Sequence, residues 1–224
     1  MTTSPAGTAR FAGFGEGAVE FYDGLAADNS KAYWTDHRGI YERDVLGPMQ
    51  ALVATLEPEF GPGKIFRPYR DVRFSKDKTP YKTACGATVG PFYVQVSADG
   101  LMAAGGAYRW EPDQVARYRT AVDDERRGRD LEARLGALAG VTVDGSALTV
   151  AGDRLATRPR GVAPDHPRLD LLRHRSLYAH CGWAPDDALH EAAAARRVAG
   201  AWRAMRPLIE WLDDHVGPTE QPRR

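Results

Sequence analysis

Apolar residues recur at helical spacing over 17–27, where Val19, Phe21, Tyr22 and Leu25 mark one face. Asp28, Asn29 and Ser30 end that pattern and offer an N-cap for the next helix, predicted over 30–57. Gly47-Pro48 is expected to kink or divide this second helix, because proline has no N–H for the interior ladder. A turn follows from Glu57-Pro58 to Gly63. The pattern then changes period, and 64–74, 83–89, 92–97 and 101–110 read as strands joined at 76–80, Gly90-Pro91 and Ala98-Asp99-Gly100. Helical spacing returns over 113–123 and in a second amphipathic stretch through Leu138. A short hairpin is predicted over 141–150, turning at Asp144-Gly145. The Pro- and Arg-rich stretch 155–175 holds one helical turn at 167–173, a strand covers 176–183, and a last helix covers 186–216.

Strands grouped between helices, without βαβ alternation, predict an α+β fold with a central, mainly antiparallel sheet and helices packed on it. The sheet is expected from 64–110, joined by 176–183. The domain reading is a disordered tail over 1–10, one domain over 11–217 and a C-terminal tail over 218–224. Of 224 residues 43% are hydrophobic and 27% charged, the profile of a globular chain, and 30 cations balance 30 acids. No global field therefore favours nucleic acid or an anionic membrane, so a basic site must be local. The N-terminus has no apolar run of signal-peptide length, and nothing approaches the roughly eighteen apolar residues of a membrane span. The chain is read as cytoplasmic, with Cys85 and Cys181 reduced by default and a single bridge between them left open.

Charge changes the picture at one place. Four of the five lysines fall within 64–82, whereas the arginines are spread along the chain. That segment sets Lys64, Arg67, Arg70, Arg73, Lys76, Lys78 and Lys82 against only Asp71 and Asp77. Lysine is a compact point charge and arginine a planar fork, so the bias points to a segment that needs ammonium groups. As a strand, 64–74 would place Arg67, Tyr69, Asp71 and Arg73 on one face, and Phe66, Arg70, Val72 and Phe74 on the other. Cations at this density repel unless an anion sits among them; a solvated edge strand is the competing account.

The run from Arg70 to Lys82, RDVRFSKDKTPYK, resembles the signature of an uncharacterised family of bacterial and fungal proteins defined only as a domain of unknown function. Asn29-Ser30-Lys31-Ala32-Tyr33-Trp34 is similar to that family's asparagine-plus-aromatic segment. Leu155 to Gly161, continuing through Asp165-His166-Pro167 to Ser176, is similar to its late block, with Arg160 where lysine is usual. The resemblance spans nearly the whole chain. It implies one domain and a shared site, and brings no established activity.

Other candidates are weaker. Nearby lysines could lower the Cys85 thiol pKa, but no histidine has a fixed spacing to it, and a buried structural thiol is the favoured reading for Cys85 and Cys181 alike. Metal-ligand motifs, dinucleotide fingerprints and nucleophile elbows are absent from the sequence, so no cofactor or metal is expected. Gly105-Gly106 inside a strand reads as a bulge or a close backbone approach. Trp110, beside Tyr108 and Arg109, suits the mouth of a cleft, and Asp165-His166 is the best acid/base pair, with capping the competing role. The leading expectation is binding, with or without turnover, of a small phosphorylated or polycarboxylate anion. Arg70, Arg73, Lys76, Lys78 and Lys82 would clamp it, Asp71 would orient an arginine, and Tyr81 would donate a hydrogen bond. The second is a non-enzymatic module docking an acidic peptide or nucleic-acid backbone, the latter disfavoured by zero net charge. The third is that Arg70–Asp71 and Lys76–Asp77–Lys78 only staple the hairpin to acidic helices such as 111–132. The sequence assigns no catalytic residue and no oligomeric state.

Overall fold

The computed structural model describes residues 10–73 and 76–221. The tail expected at 1–10, except Arg10, lies outside the described residues, as do Phe74, Ser75 and the tail positions 222–224. The chain is an α+β protein whose six-stranded antiparallel sheet runs, in spatial order, 63–65, 84–89, 92–97, 100–107, 177–183 and 149–151. By its contacts it forms two compact units, Met1–Ala103 with Gly182–Ala199, and Ala104–Cys181 with Gly200–Arg224.

In the first unit, α1 (Ala18–Ala27) and α2 (Lys31–Ile40) lead into a π-helical turn, Tyr41–Leu46, and then α3 (Gly47–Phe60). Ser30 caps α2 by accepting the Tyr33 amide at 3.1 Å. Residues 30–57 do divide, but six residues ahead of Gly47-Pro48. The wider turn puts the Gly47 amide on the Glu42 carbonyl, and Pro48 falls in the first turn of α3, where no donor is missed. α3 also runs through Pro58, expected as a turn, and stops at Gly61, whose φ of 102° suits glycine. The strands β1 (Gly63–Ile65), β2 (Ala84–Val89), β3 (Phe92–Ser97) and β4 (Gly100–Ala107) follow. Helix α1 packs on β3 and α3 on β1 and β2. Phe21, Tyr22, Leu25, Met49, Leu52, Val94 and Val96 fill the core beneath them. Each such side chain contributes roughly 1.5–3 kcal/mol by leaving water.

The strand expected over 64–74 ends at Ile65. Exposure still alternates from Phe66 to Arg73, with odd positions open and even positions half-buried. Pro68 and Pro80 have no N–H to give. Pairing survives as a single bridge, Tyr69 with Tyr81, in which both prolines only accept: Arg70 N donates to Pro80 O and Lys82 N to Pro68 O, each at 2.8 Å.

The second unit contains α4 (Pro112–Asp123), α5 (Glu125–Leu138), the two-stranded hairpin β5 (Thr142–Val143) and β6 (Ser146–Ala147), β7 (Thr149–Ala151), α6 (Leu169–Leu172) and most of β8 (Leu177–Trp183). The hairpin turns at Asp144-Gly145, both at positive φ (46° and 80°). After β8 come a 3₁₀ turn, Asp187–His190, and α7 (Ala193–His215). The expected C-terminal tail is partly tied down, because Thr219 Oγ1 and Glu220 N both donate to Asp113. Strand β7 was not foreseen in the sheet. Its three residues pair antiparallel with Tyr178–His180 of β8.

Gly106 shows why a glycine pair sits in β4. Its φ is 118°, and a Cβ there would lie 2.7 Å from the Leu177 carbonyl oxygen and 2.8 Å from Tyr178 Cα. Close backbone approach to β8 is thus its role. Gly106→Ala is expected to lower unfolding free energy by about 1–3 kcal/mol in denaturant titration; an unchanged midpoint would mean that the strand pair relaxes freely.

Candidate functional site

The basic loop belongs to the first unit, and one side chain anchors it. Asn29, in the turn between α1 and α2, donates from its amide nitrogen to Tyr81 O at 3.1 Å and accepts from Tyr81 N at 3.0 Å. The amide thus takes the place of a neighbouring strand across 52 residues of sequence. The Tyr81 ring lies flat on Trp34, 4.4 Å between centroids and 6° between planes. Trp34 in turn packs against Phe21, Tyr41 and Tyr69. Tyr81 is therefore buried and anchors the loop through its backbone and its ring.

Within the loop the charges are sorted. Asp71 takes Arg73 in a two-pronged pair, with Nε at 2.9 Å and Nη2 at 2.6 Å, and also accepts the Arg73 amide. Asp77 accepts the backbone and hydroxyl of Thr79 at 2.9 and 2.8 Å. It also accepts Arg70 Nη1, which reaches Thr79 Oγ1 as well. Lys78 Nζ donates to the Val72 carbonyl at 2.9 Å. Lys76 stands exposed. Lys82 is half-buried over the Phe66 ring, 5.3 Å from its centroid. Of the residues expected to clamp a ligand, Arg70, Arg73 and Lys78 thus hold the loop's own shape.

Electrostatics follow this sorting. Arg73 holds the Asp71 carboxyl down to about 2, and the Thr79 amide with Arg70 does the same for Asp77, from an ordinary 3.8. Cys85 moves the other way: burial pushes its thiol up to about 11, against the opposing pull of a Tyr41 hydrogen bond and the Lys82 charge. The two adjacent groups do not outweigh removal from water. Burial also lifts Cys181 to about 12. Both thiols are buried and free.

The remaining candidates have structural partners. His166 Nε2 meets Asp123 Oδ1 at 3.0 Å while Nδ1 accepts the Arg168 amide at 3.0 Å, so both ring nitrogens are used within the second unit. Arg168, which the sequence did not single out, is the buried hub of that block, donating to the Val122 and Asp123 carbonyls and to Glu125. Its only sequence signal was its place beside the Asp-His-Pro run. Among the described residues no cluster of three or more His, Cys, Asp or Glu is placed to hold a metal, and no helix is long and apolar enough to cross a membrane.

A family model described as a conserved hypothetical protein, DUF2461, matches residues 17–211. No curated protein and no solved structure matches the chain. The three blocks quoted from the sequence all fall inside the matched span.

Asn29→Ala removes both Tyr81 bonds and is expected to lower stability by about 2 kcal/mol, since two backbone groups lose their partner. Thermal unfolding with and without the substitution checks this; an effect below about 0.5 kcal/mol would mean water replaces the amide. The depressed carboxyls give a second expectation. Their folded pKa lies below the unfolded value, so the loop pairs are intact above about pH 4 and are lost as pH falls toward 2. Carboxyl NMR should place both midpoints near 2; midpoints near 4 would show that the pairs do not form in solution.

Proposed function

We propose that this chain, which belongs to the DUF2461 family of conserved hypothetical proteins, binds a small phosphorylated or polycarboxylate anion over the loop between Pro68 and Lys82. The observation that carries the reading is the fate of the loop's acids. Seven cations meet two acids over 64–82, and each acid is already held by an arginine of the same loop, which leaves an excess of five positive charges. Like charges held this close repel, and a bound anion relieves them. The roles then divide. Arg70, Arg73 and Lys78, with Asp71 and Asp77, preorganise the loop, so little ordering entropy is lost on binding. Lys76 and Lys82, joined by Arg67, supply the charge that meets the ligand. Tyr81 fixes the loop through its backbone. The two free thiols accord with the reducing cytoplasm as the place of action.

Citrate and pyrophosphate are suitable probes in a thermal-shift experiment. At about a hundred times Kd a single-site ligand adds about 2.7 kcal/mol, or roughly 5–10 °C for a chain of this size. The double variant Lys76→Gln/Lys82→Gln should lose most of that shift, measured from its own unliganded Tm. A full shift in the double variant would remove the loop as the site. Arg73→Ala is a poorer probe, because it also frees Asp71.

A second reading, a surface that docks an acidic peptide, is favoured by one feature: the Tyr69 ring beside the loop is 51% exposed. A glutamate-rich peptide that binds wild type and not Tyr69→Ala, with citrate giving no shift, would select it.

A further inference from the structure

The second unit holds a cleft of about 620 Å³ between the end of β4, the first turns of α4 and the segments around Asp153 and Arg175. That volume suits a ligand of nucleotide size. Arg109, Arg119 and Arg175 line it with one acid, Asp153, so three cations less one anion leave a net charge of +2. The fold places two of these guanidiniums deliberately. Arg119 Nε donates to the Leu172 carbonyl at 3.1 Å, and Arg175 Nε donates to Asp153 Oδ2 at 2.9 Å. Burial and the charge of Arg175 both push the Arg119 pKa down, which is the mark of two cations facing one cleft. At its mouth stands Tyr108, 81% exposed, its ring 5.6 Å from Tyr178. Among the described residues only Tyr69 and Tyr108 are exposed large hydrophobic side chains, so a bare ring here is unusual for this protein. Trp110, packed 4.6 Å from the buried Tyr118, makes the apolar wall behind it.

We propose that this cleft binds a phosphate monoester that carries a flat ring, the chemistry of a nucleoside monophosphate. Arg119 and Arg175 take the phosphate, whose charge of about −2 near neutral pH matches the net charge of the lining. Tyr108 stacks on the ring, and Trp110 closes the apolar side. A carboxylate would leave one positive charge unanswered, and a bare phosphate would leave the solvent face of Tyr108 uncovered. The site lies in the second unit and shares no residue with the basic loop.

Calorimetric titration with adenosine monophosphate tests this, with inorganic phosphate, adenosine and benzoate as the comparison ligands. Wild type should bind the monophosphate at least about tenfold more tightly than any of the three, since each lacks the phosphate, the ring or one unit of charge. Tyr108→Ala should weaken binding about tenfold, the scale of losing one aromatic stack. Its exposure means that the fold is left intact, which unchanged thermal unfolding will verify. Arg119→Gln should weaken binding by at least about tenfold, and Lys76→Gln/Lys82→Gln should bind as wild type does. Absence of monophosphate binding, equal binding of inorganic phosphate or benzoate, or unchanged affinity in Tyr108→Ala would each overturn the proposal. Loss of binding in the lysine double variant would also overturn it, because the ligand would then belong to the basic loop.

Discussion

The basic loop depends on one side-chain amide. Pro68 and Pro80 strip two donors from the hairpin, so ordinary strand pairing can hold it at only one bridge. Asn29 makes good the deficit from the helical corner, pairing both backbone groups of Tyr81 and setting the ring against Trp34. No other side chain type could do this as compactly, because the task needs a donor and an acceptor on one planar group. Ser30 beside it fixes the start of α2, so the residue that anchors the loop and the residue that caps the helix are adjacent. A loop fastened at one point of a buried aromatic stack can carry a high charge density without collapsing onto the core.

Arginine and lysine do different work in this chain, and the difference explains the composition. The pairs that shape the fold use the planar fork: Arg73 with Asp71, Arg43 with Asp44, and Arg197 with Asp186 at 2.7 Å on both prongs. Arg168 spans two helices' worth of acceptors from a buried position. Such roles need fixed geometry. Lysine is retained where a mobile point charge suffices, on the surface of a loop whose arginines are already engaged. Within 64–82 the lysines divide: Lys78 is tied to the Val72 carbonyl, whereas Lys76 stands exposed.

Much of the fold was legible in the sequence, because its signals are local. β3 matches the expected 92–97 run, where Val94 and Val96 alternate with Tyr93 and Gln95, and Asp144-Gly145 turns its hairpin with the positive φ values that this pair tolerates. The failures have equally definite causes. A π-turn shifts hydrogen bonding by one residue without changing which residues are apolar, so nothing announced 41–46. The 64–74 run alternates as a strand does, but Pro68 within it and Pro80 opposite have no N–H for the ladder. At the loop the charges could be counted but not paired. Arg70 meets Asp77 seven residues on, and Asn29 meets Tyr81 across 52; neither partner follows from spacing. The cleft was less legible still, because its arginines come from three separate stretches of chain.

The two tyrosines left exposed, Tyr69 and Tyr108, sharpen the comparison between the units. Each stands beside a concentration of positive charge, yet the surroundings differ in kind. At Tyr69 the neighbouring ring is buried, the acids are saturated by arginine, and the charge lies along an open loop, where solvent weakens each interaction. At Tyr108 one guanidinium, Arg119, is partly withdrawn from water inside a cleft, where its charge acts more strongly on whatever enters. An open loop of this kind draws anions in and discriminates among them weakly. A cleft with a ring platform and a fixed pair of forks discriminates by shape as well as charge. On the two proposals, specificity resides in the second unit, and binding at the loop fades with added salt sooner than binding at the cleft.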